Sequence, residues 1–219
     1  MLAAAVVLFL FIIAILAPLV APTNPFDPAS LNLMNGFTPP MTPNMFTGQS
    51  FVMGADDQGR DLLSAIIYGL RVSLFVGVMS VLLAMGIGVS LGLVAGYVGG
   101  WLDNLIMRIA DIQLTFPSIL IAMLIFGVLR GIIPPDLRDE MAIFVLIAAI
   151  GLSEWVPFAR TVRATTLVEK EKEYVQAARL IGLRRGQIMW RHILPNVIGP
   201  VLVIATCLLY TSPSPRDTG

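Results

Sequence analysis

Charge-free apolar blocks alternate with short polar stretches along this chain. Residues 2–17 carry no charge, and neither do residues 72–102. A helix needs about 20 largely apolar residues to cross a bilayer. The blocks therefore predict spans at residues 1–21, 72–98, 101–129 and 141–159, with a partial fifth at 196–210. The expected fold class is an all-α membrane protein, a polytopic helical bundle with four full spans and a truncated fifth.

Between the first two spans, residues 22–71 read differently. Pro22, Pro25, Pro28, Pro39, Pro40 and Pro43 exclude regular helix over most of this stretch. Residues 59–71 then place Leu62, Leu63, Ile66, Ile67 and Leu70 on one helical face and Arg60, Asp61, Ser64 and Arg71 on the other. That pattern suits either an interfacial amphipathic helix or a helix that feeds the next span. Within the second span, Ser80, Ala84, Gly88, Gly92, Gly96 and Gly100 recur every four residues. Such a ladder gives a smooth stripe against which another backbone can pack closely. Gly88, Gly92 and Gly96 are the expected helix-packing seam, within one bundle or between subunits.

Composition agrees with a bilayer. Of 219 residues, 57% are hydrophobic and 13% charged, with mean hydropathy +0.85; soluble domains carry about 25% charge. The net charge is zero, so no global field favours nucleic acid. One Cys and one His exclude an internal disulfide framework and argue against a metal site of ordinary type. Near the third span, Asn104 and Arg108 stand at i,i+4 and Arg108 and Asp111 at i,i+3, so these groups are expected to satisfy one another. Glu154 either lines a pathway or snorkels to water.

Charge placement sets topology. Eight of the 14 basic residues fall in residues 160–191: Arg160, Arg163, Lys170, Lys172, Arg179, Arg184, Arg185 and Arg191. The positive-inside rule puts this loop in the cytoplasm. Counting back places the proline-rich loop outside and the N-terminus inside.

The loop at 160–195 reads as a helical hairpin. Thr166 and Glu169 fit a capping box at a helix start. Tyr174, Ala177, Ala178 and Ile181 share a face, Gly182 ends the helix, and a second helix from Arg184 is expected to stop at Pro195. An ordinary basic loop beside anionic lipid headgroups would also explain the charge.

Gln176, Ala177, Ala178, Gly182, Leu194 and Pro195 stand at the signature positions of the cytoplasmic loop of ABC importer permeases. The strings GADDQGRDLLSAIIYGLRVSL, AGYVGGWLDNLIMRIADIQLTFPS and RHILPN resemble the dipeptide/oligopeptide/nickel type of that family. The resemblance covers residues 53–205. Gln176 departs from the usual Glu, and His192 stands where an apolar residue is common. The resemblance implies that Glu173, Tyr174, Gln176, Ala177, Ala178, Arg179, Gly182 and Leu183 face a separate ATPase subunit, with Leu194 and Pro195 closing the hairpin. It also implies a second homologous permease, an extracytoplasmic solute-binding protein and a prokaryotic inner-membrane location. The chain lacks the GxxxxGK[ST] phosphate loop, so ATP and Mg are expected in the partner, with no catalysis, cofactor or metal here. A secondary transporter or channel would need inverted repeats or midplane ion ligands, and neither is legible. The tail at 207–219 does not resemble the family and reads as an artefactual end to a truncated chain.

Overall fold

In the computed structural model, residues 2–25, 33–43, 48 and 50–210 are described. The expectations for the tail at 211–219 lie outside them. The chain forms two compact units, residues 1–75 and residues 76–219.

In the first unit, helix α1 (Leu2–Ile15) is followed by a four-residue α2 (Ala17–Val20). Hydrogen bonding continues through Leu16, whose carbonyl accepts from Val20 N at 3.0 Å. Two short strands, β1 (Thr42–Pro43) and β2 (Ser50–Phe51), pair antiparallel with Thr42 opposite Phe51. The start of helix α3 (Leu62–Val98) is fixed by Asp61, whose carboxylate accepts from Ser64 N at 2.9 Å and Ser64 Oγ at 2.6 Å. An acid in this position satisfies amide donors that the first helical turn leaves free. Thr23 N adds a bond to Ser64 Oγ at 3.1 Å.

The sequence leaves residues 59–71 as either an interfacial helix or a helix feeding the span at 72–98, and the second forms. The structure joins them from residue 62 in one 37-residue helix, about 55 Å long at 1.5 Å per residue. Nothing in the sequence breaks it, since no Pro stands between Leu62 and Val98.

The second unit is built around helix α7. Gly100–Leu114 forms α4 and Ser118–Ile132 forms α5. A short 3-10 turn (Pro135–Leu137) leads into α6 (Arg138–Ser153), followed by α7 (Trp155–Glu169). The expected continuous span 101–129 is corrected here. It is broken at residues 115–117, and α4 and α5 meet at 99°. Pro117 has no N–H and restricts the residue before it, so the helix cannot run through. The helix expected over 141–159 runs on past that span into the hairpin region. It bends by 42° at Glu154 and continues to Glu169. Glu154 is thus the junction of two helices.

α8 (Glu173–Leu180) precedes a turn, and α9 (Arg185–Gln187) opens the final helical run. A π-helical segment (Ile188–Ile193) then leads directly into α10 (Leu194–Tyr210). Pro195 therefore does not stop the helix, contrary to the sequence expectation. It sits in the first turn of α10, just past the widened π turns. Asn196 Nδ2 donates to the His192 carbonyl at 2.8 Å, which supplies a donor beside the proline. The run Arg185–Cys207 is 23 residues and apolar enough to cross a membrane, so the partial fifth span at 196–210 is part of a longer helix. Among the described residues, two helices have the length and composition to cross, or up to four if each bent pair is one span.

Two buried clusters hold this unit. One joins Leu93 of α3, Phe158 and Val162 of α7, Val175 and Ala178 of α8, and Ile188, Ile193, Val197 and Val201 of the last helical run. The other joins Ala95, Ile106, Ala110, Trp155, Val156 and Ala159 from α3, α4 and α7.

Candidate functional site: the turned helix at residues 169–196

The small-residue stripe of α3 faces α7. Gly88, Gly92 and Gly96 are buried. A Cβ on Gly88 would lie 2.5 Å from the Trp155 carbonyl oxygen, and one on Gly92 2.5 Å from that of Ala159. On Gly96 it would lie 2.7 Å from Thr166 Cβ. The seam is thus inside this chain, and only hydrogen fits along it. Gly100, the last rung, begins α4 with φ +63 and meets no atom within 4 Å.

Ion pairs lock α4 onto the same helix. Arg163 grips Asp103 with Nε–Oδ1 at 2.5 Å and Nη2–Oδ2 at 2.7 Å, and Arg160 pairs with Asp111. Asp111, expected to pair with Arg108, pairs instead with Arg160 across the helices. Gln113 spans from α4 to the α6–α7 bend. Its Nε2 donates to the Ser153 carbonyl at 2.8 Å, and its Oε1 accepts from Trp155 Nε1 at 2.8 Å. A bend frees backbone carbonyls, and Gln113 satisfies one of them.

α7 thus forms a rigid post whose lower end carries α8. Thr166 and Glu169 do not cap a helix start, because both lie in the last turn of α7. Glu169 instead ties the two helices. It is buried at 6% exposure and accepts from Lys172 Nζ and Tyr174 Oη, both at 2.6 Å. These hydrogen bonds, that to Lys172 first, hold its carboxyl below the usual glutamate range. Burial, followed by the bond to Glu169, pushes the Tyr174 hydroxyl up to about 12. Asn196 Nδ2 donates to Tyr174 Oη at 3.1 Å, so the ends of α7, α8 and the start of α10 share one network. Lys170 Nζ also reaches the Gly96 carbonyl at 3.1 Å, where the C-terminal end of α3 favours a cation.

Gly182 ends α8 in a left-handed conformation, φ +81. Gly182 N bonds to the Arg179 carbonyl at 3.0 Å, and Leu183 N to that of Ala178 at 3.2 Å. These two bonds are the Schellman pattern of a glycine-terminated helix.

The structure separates the predicted interface residues into two groups. Glu173, Gln176 and Ala177 are exposed on the outer side. Ala178 is buried, Leu183 packs against the core, and Arg179 folds back over the Tyr97 ring, 5.2 Å from its centroid. Of the residues placed on one face, Tyr174, Ala177, Ala178 and Ile181, only Ala178 is buried, turned inward with Val175. Gln176 Nε2 donates to the Glu171 carbonyl at 2.9 Å. A carboxylate has no proton to donate there, so glutamine at this position stiffens the turn before α8. At the hairpin end, Leu194 packs on the core while Pro195 is exposed.

Leu180 and Ile181, at 88% and 75% exposure, form an apolar tip of which the helical period picks out Ile181 but not Leu180. The available signal was two large aliphatics directly before a helix-ending glycine.

Residues 88–209 match the family described as binding-protein-dependent transport system inner membrane component. The chain belongs to this family. It is a multi-pass membrane protein. It is 38% identical over 195 residues to the dipeptide transport system permease protein DppC of Alkalihalophilus pseudofirmus, covering 89% of this chain and 58% of that protein. It is 33% identical to the oligopeptide transport system permease protein OppC of Bacillus subtilis, over 94% of this chain and 61% of the relative. The glutathione transport system permease protein GsiD of Escherichia coli is 38% identical over 97% of this chain and 64% of its own length. The chain spans about six tenths of the length of the curated relatives it matches.

Proposed function

We propose that this chain is the membrane permease subunit of an ATP-driven importer for short peptides or a related small solute such as a nickel chelate. The names of its relatives support the solute class. ATP and Mg bind in a separate ATPase subunit, and this chain performs no catalysis. A second homologous permease completes the pathway, and an extracytoplasmic binding protein delivers solute. The hairpin lies on the cytoplasmic side of a prokaryotic inner membrane, with the N-terminus on the same side. Transport proceeds by rigid-body alternating access.

One observation carries the reading. α8 is short, stapled at both ends, and presents the bare apolar residues Leu180 and Ile181 beside Gln176, Ala177 and Glu173. A stiff helix with an exposed aliphatic tip suits a groove on another protein. Because Glu169, Tyr174 and Asn196 tie α8 to α7 and α10, displacement of the tip moves the bundle.

The test is co-purification of the chain with its ATPase subunit in Ile181→Asp and Leu180→Asp backgrounds. Each substitution changes exposed side chains only, so the fold should persist. Association should fall roughly 30-fold, the effect of losing a strong interface contact of about 2 kcal/mol. Normal association and normal uptake in both variants would refute the proposed docking face.

A further inference from the structure

Beside α8 and the end of α3 lies a recess of about 400 Å³ lined by Tyr97, Val98, Arg179, Leu183, Arg185 and Ile188. Its polar edge is two guanidinium groups. Among the described residues neither Arg179 nor Arg185 has an acidic partner, since every ion pair involves Arg60, Arg160, Arg163 or Lys172. Arg179 is held against the Tyr97 ring, which restricts its side chain in advance of any ligand. The remaining walls are aliphatic.

The recess sits at a defined depth. Tyr97 and Val98 are the last residues of α3, and Trp101, 74% exposed, stands in the first turn of the next helix. Tyrosine and tryptophan at the end of an apolar helix mark the headgroup level of a bilayer. With the arginine-rich hairpin on the cytoplasmic side, that level is the inner leaflet. The anion present there at high local concentration is the lipid phosphate, and basic pockets at this height take anionic headgroups.

We infer that the Arg179–Arg185 recess binds the phosphodiester headgroup of an anionic phospholipid. The two guanidinium groups contact the phosphate oxygens, and Tyr97, Val98 and Leu183 take the start of the acyl chains. The inference rests on the cytoplasmic placement of the hairpin in the proposed function, and none of the recess residues is Leu180 or Ile181.

The full chain is reconstituted in nanodiscs of phosphatidylcholine containing phosphatidylglycerol, and retained lipid is measured by native mass spectrometry after transfer to detergent. The wild type should retain phosphatidylglycerol in preference to phosphatidylcholine. Each basic residue near an anionic surface contributes about fivefold in affinity, so Arg179→Gln with Arg185→Gln should weaken retention roughly 30-fold. Lysine at both positions should restore most of it. Val98→Glu, which leaves both arginines in place, should also lower retention and guards against a misfolded double variant. Inorganic phosphate at millimolar concentration should not displace the lipid. Unchanged phosphatidylglycerol retention in both variants overturns the inference. So does displacement by inorganic phosphate alone, which would make this a free-phosphate site. Loss of ATPase association with lipid retention intact would assign the recess to a protein partner and equally overturn it.

Discussion

Replacing Gly92 by alanine should destabilise the second unit, while the same change at Gly86, six residues earlier on the same helix, should not. A Cβ at position 92 would lie 2.5 Å from the Ala159 carbonyl oxygen and 2.8 Å from Val162 Cβ. Neither neighbour can move freely, since one is backbone and the other is branched at the crowded atom. Ordinary carbon–oxygen contact needs about 3.3 Å, so α3 and α7 must separate by roughly 0.8 Å. A gap of that size forfeits a quarter to a half of each dispersion contact along the seam. Overpacking of this kind costs about 1–3 kcal/mol. At Gly86 a Cβ meets nothing within 4 Å, and alanine gains about 0.5–1 kcal/mol from helix propensity. The two substitutions should therefore differ in sign. The assay is thermal unfolding of each variant in one detergent, followed by tryptophan fluorescence and by the monodisperse fraction after heating. Equal midpoints for Gly92→Ala and Gly86→Ala would refute the claim that the stripe is a backbone-to-backbone seam within the chain.

Breaking the Asp103–Arg163 pair should also destabilise. The carboxylate is only 12% exposed and the guanidinium 34%, and charged hydrogen bonds of this sort are worth about 1.5–3 kcal/mol. Asp103→Asn should lower the unfolding midpoint, and a wild-type midpoint would contradict the pairing. The Glu169 network should show a pH dependence read by hydrogen exchange in α8. Because the folded carboxyl titrates below its ordinary 4.5, its stabilisation is present above that value and is lost as pH falls through the depressed one. Glu169→Gln should abolish that acid-side loss; persistence of the loss would assign it to another group. For Tyr174, raised from 10.0 to about 12, stabilisation is present in full below 10.0 and disappears as pH rises through about 12. Tyr174→Phe should remove that alkaline limb, and an unchanged limb would count against the hydroxyl.

What could be read from the sequence divides by the range of the physics involved. The glycine ladder was visible because it has a helical period, and the turn at Gly182 because left-handed backbone favours glycine. Spacing within one helix offers Arg108 to Asp111 and nothing to Asp103. The true partners stand on α7, 60 and 49 residues away, and only packing brings them together. The Thr166–Glu169 spacing fits a helix start, yet the same residues end α7. The Glu169 carboxylate is taken by Lys172 and Tyr174, while Thr166 Oγ1 is buried without a partner, and local spacing weighs neither. Proline carries two meanings in this chain. Pro117 breaks its helix by 99°, whereas Pro195 stands in the first turn of α10, and the difference lies in the hydrogen bonding upstream of each. Leu180 is not legible as part of the exposed tip because hydrophobic residues are assigned to cores by default.

The π segment at Ile188–Ile193 bears on how this chain tolerates changes of length. π turns carry more residues than α turns and arise as local excess inside an α-helix. Removing one residue between 188 and 193 lets the helix tighten into regular α geometry, leaving Val197 and Val201 on the buried side of α10. A deletion within α8 has no such slack, because Val175 and Ala178 are pinned between Glu169 and Gly182. Insertions and deletions in related chains should therefore collect in the π segment and be scarce in the stapled helix.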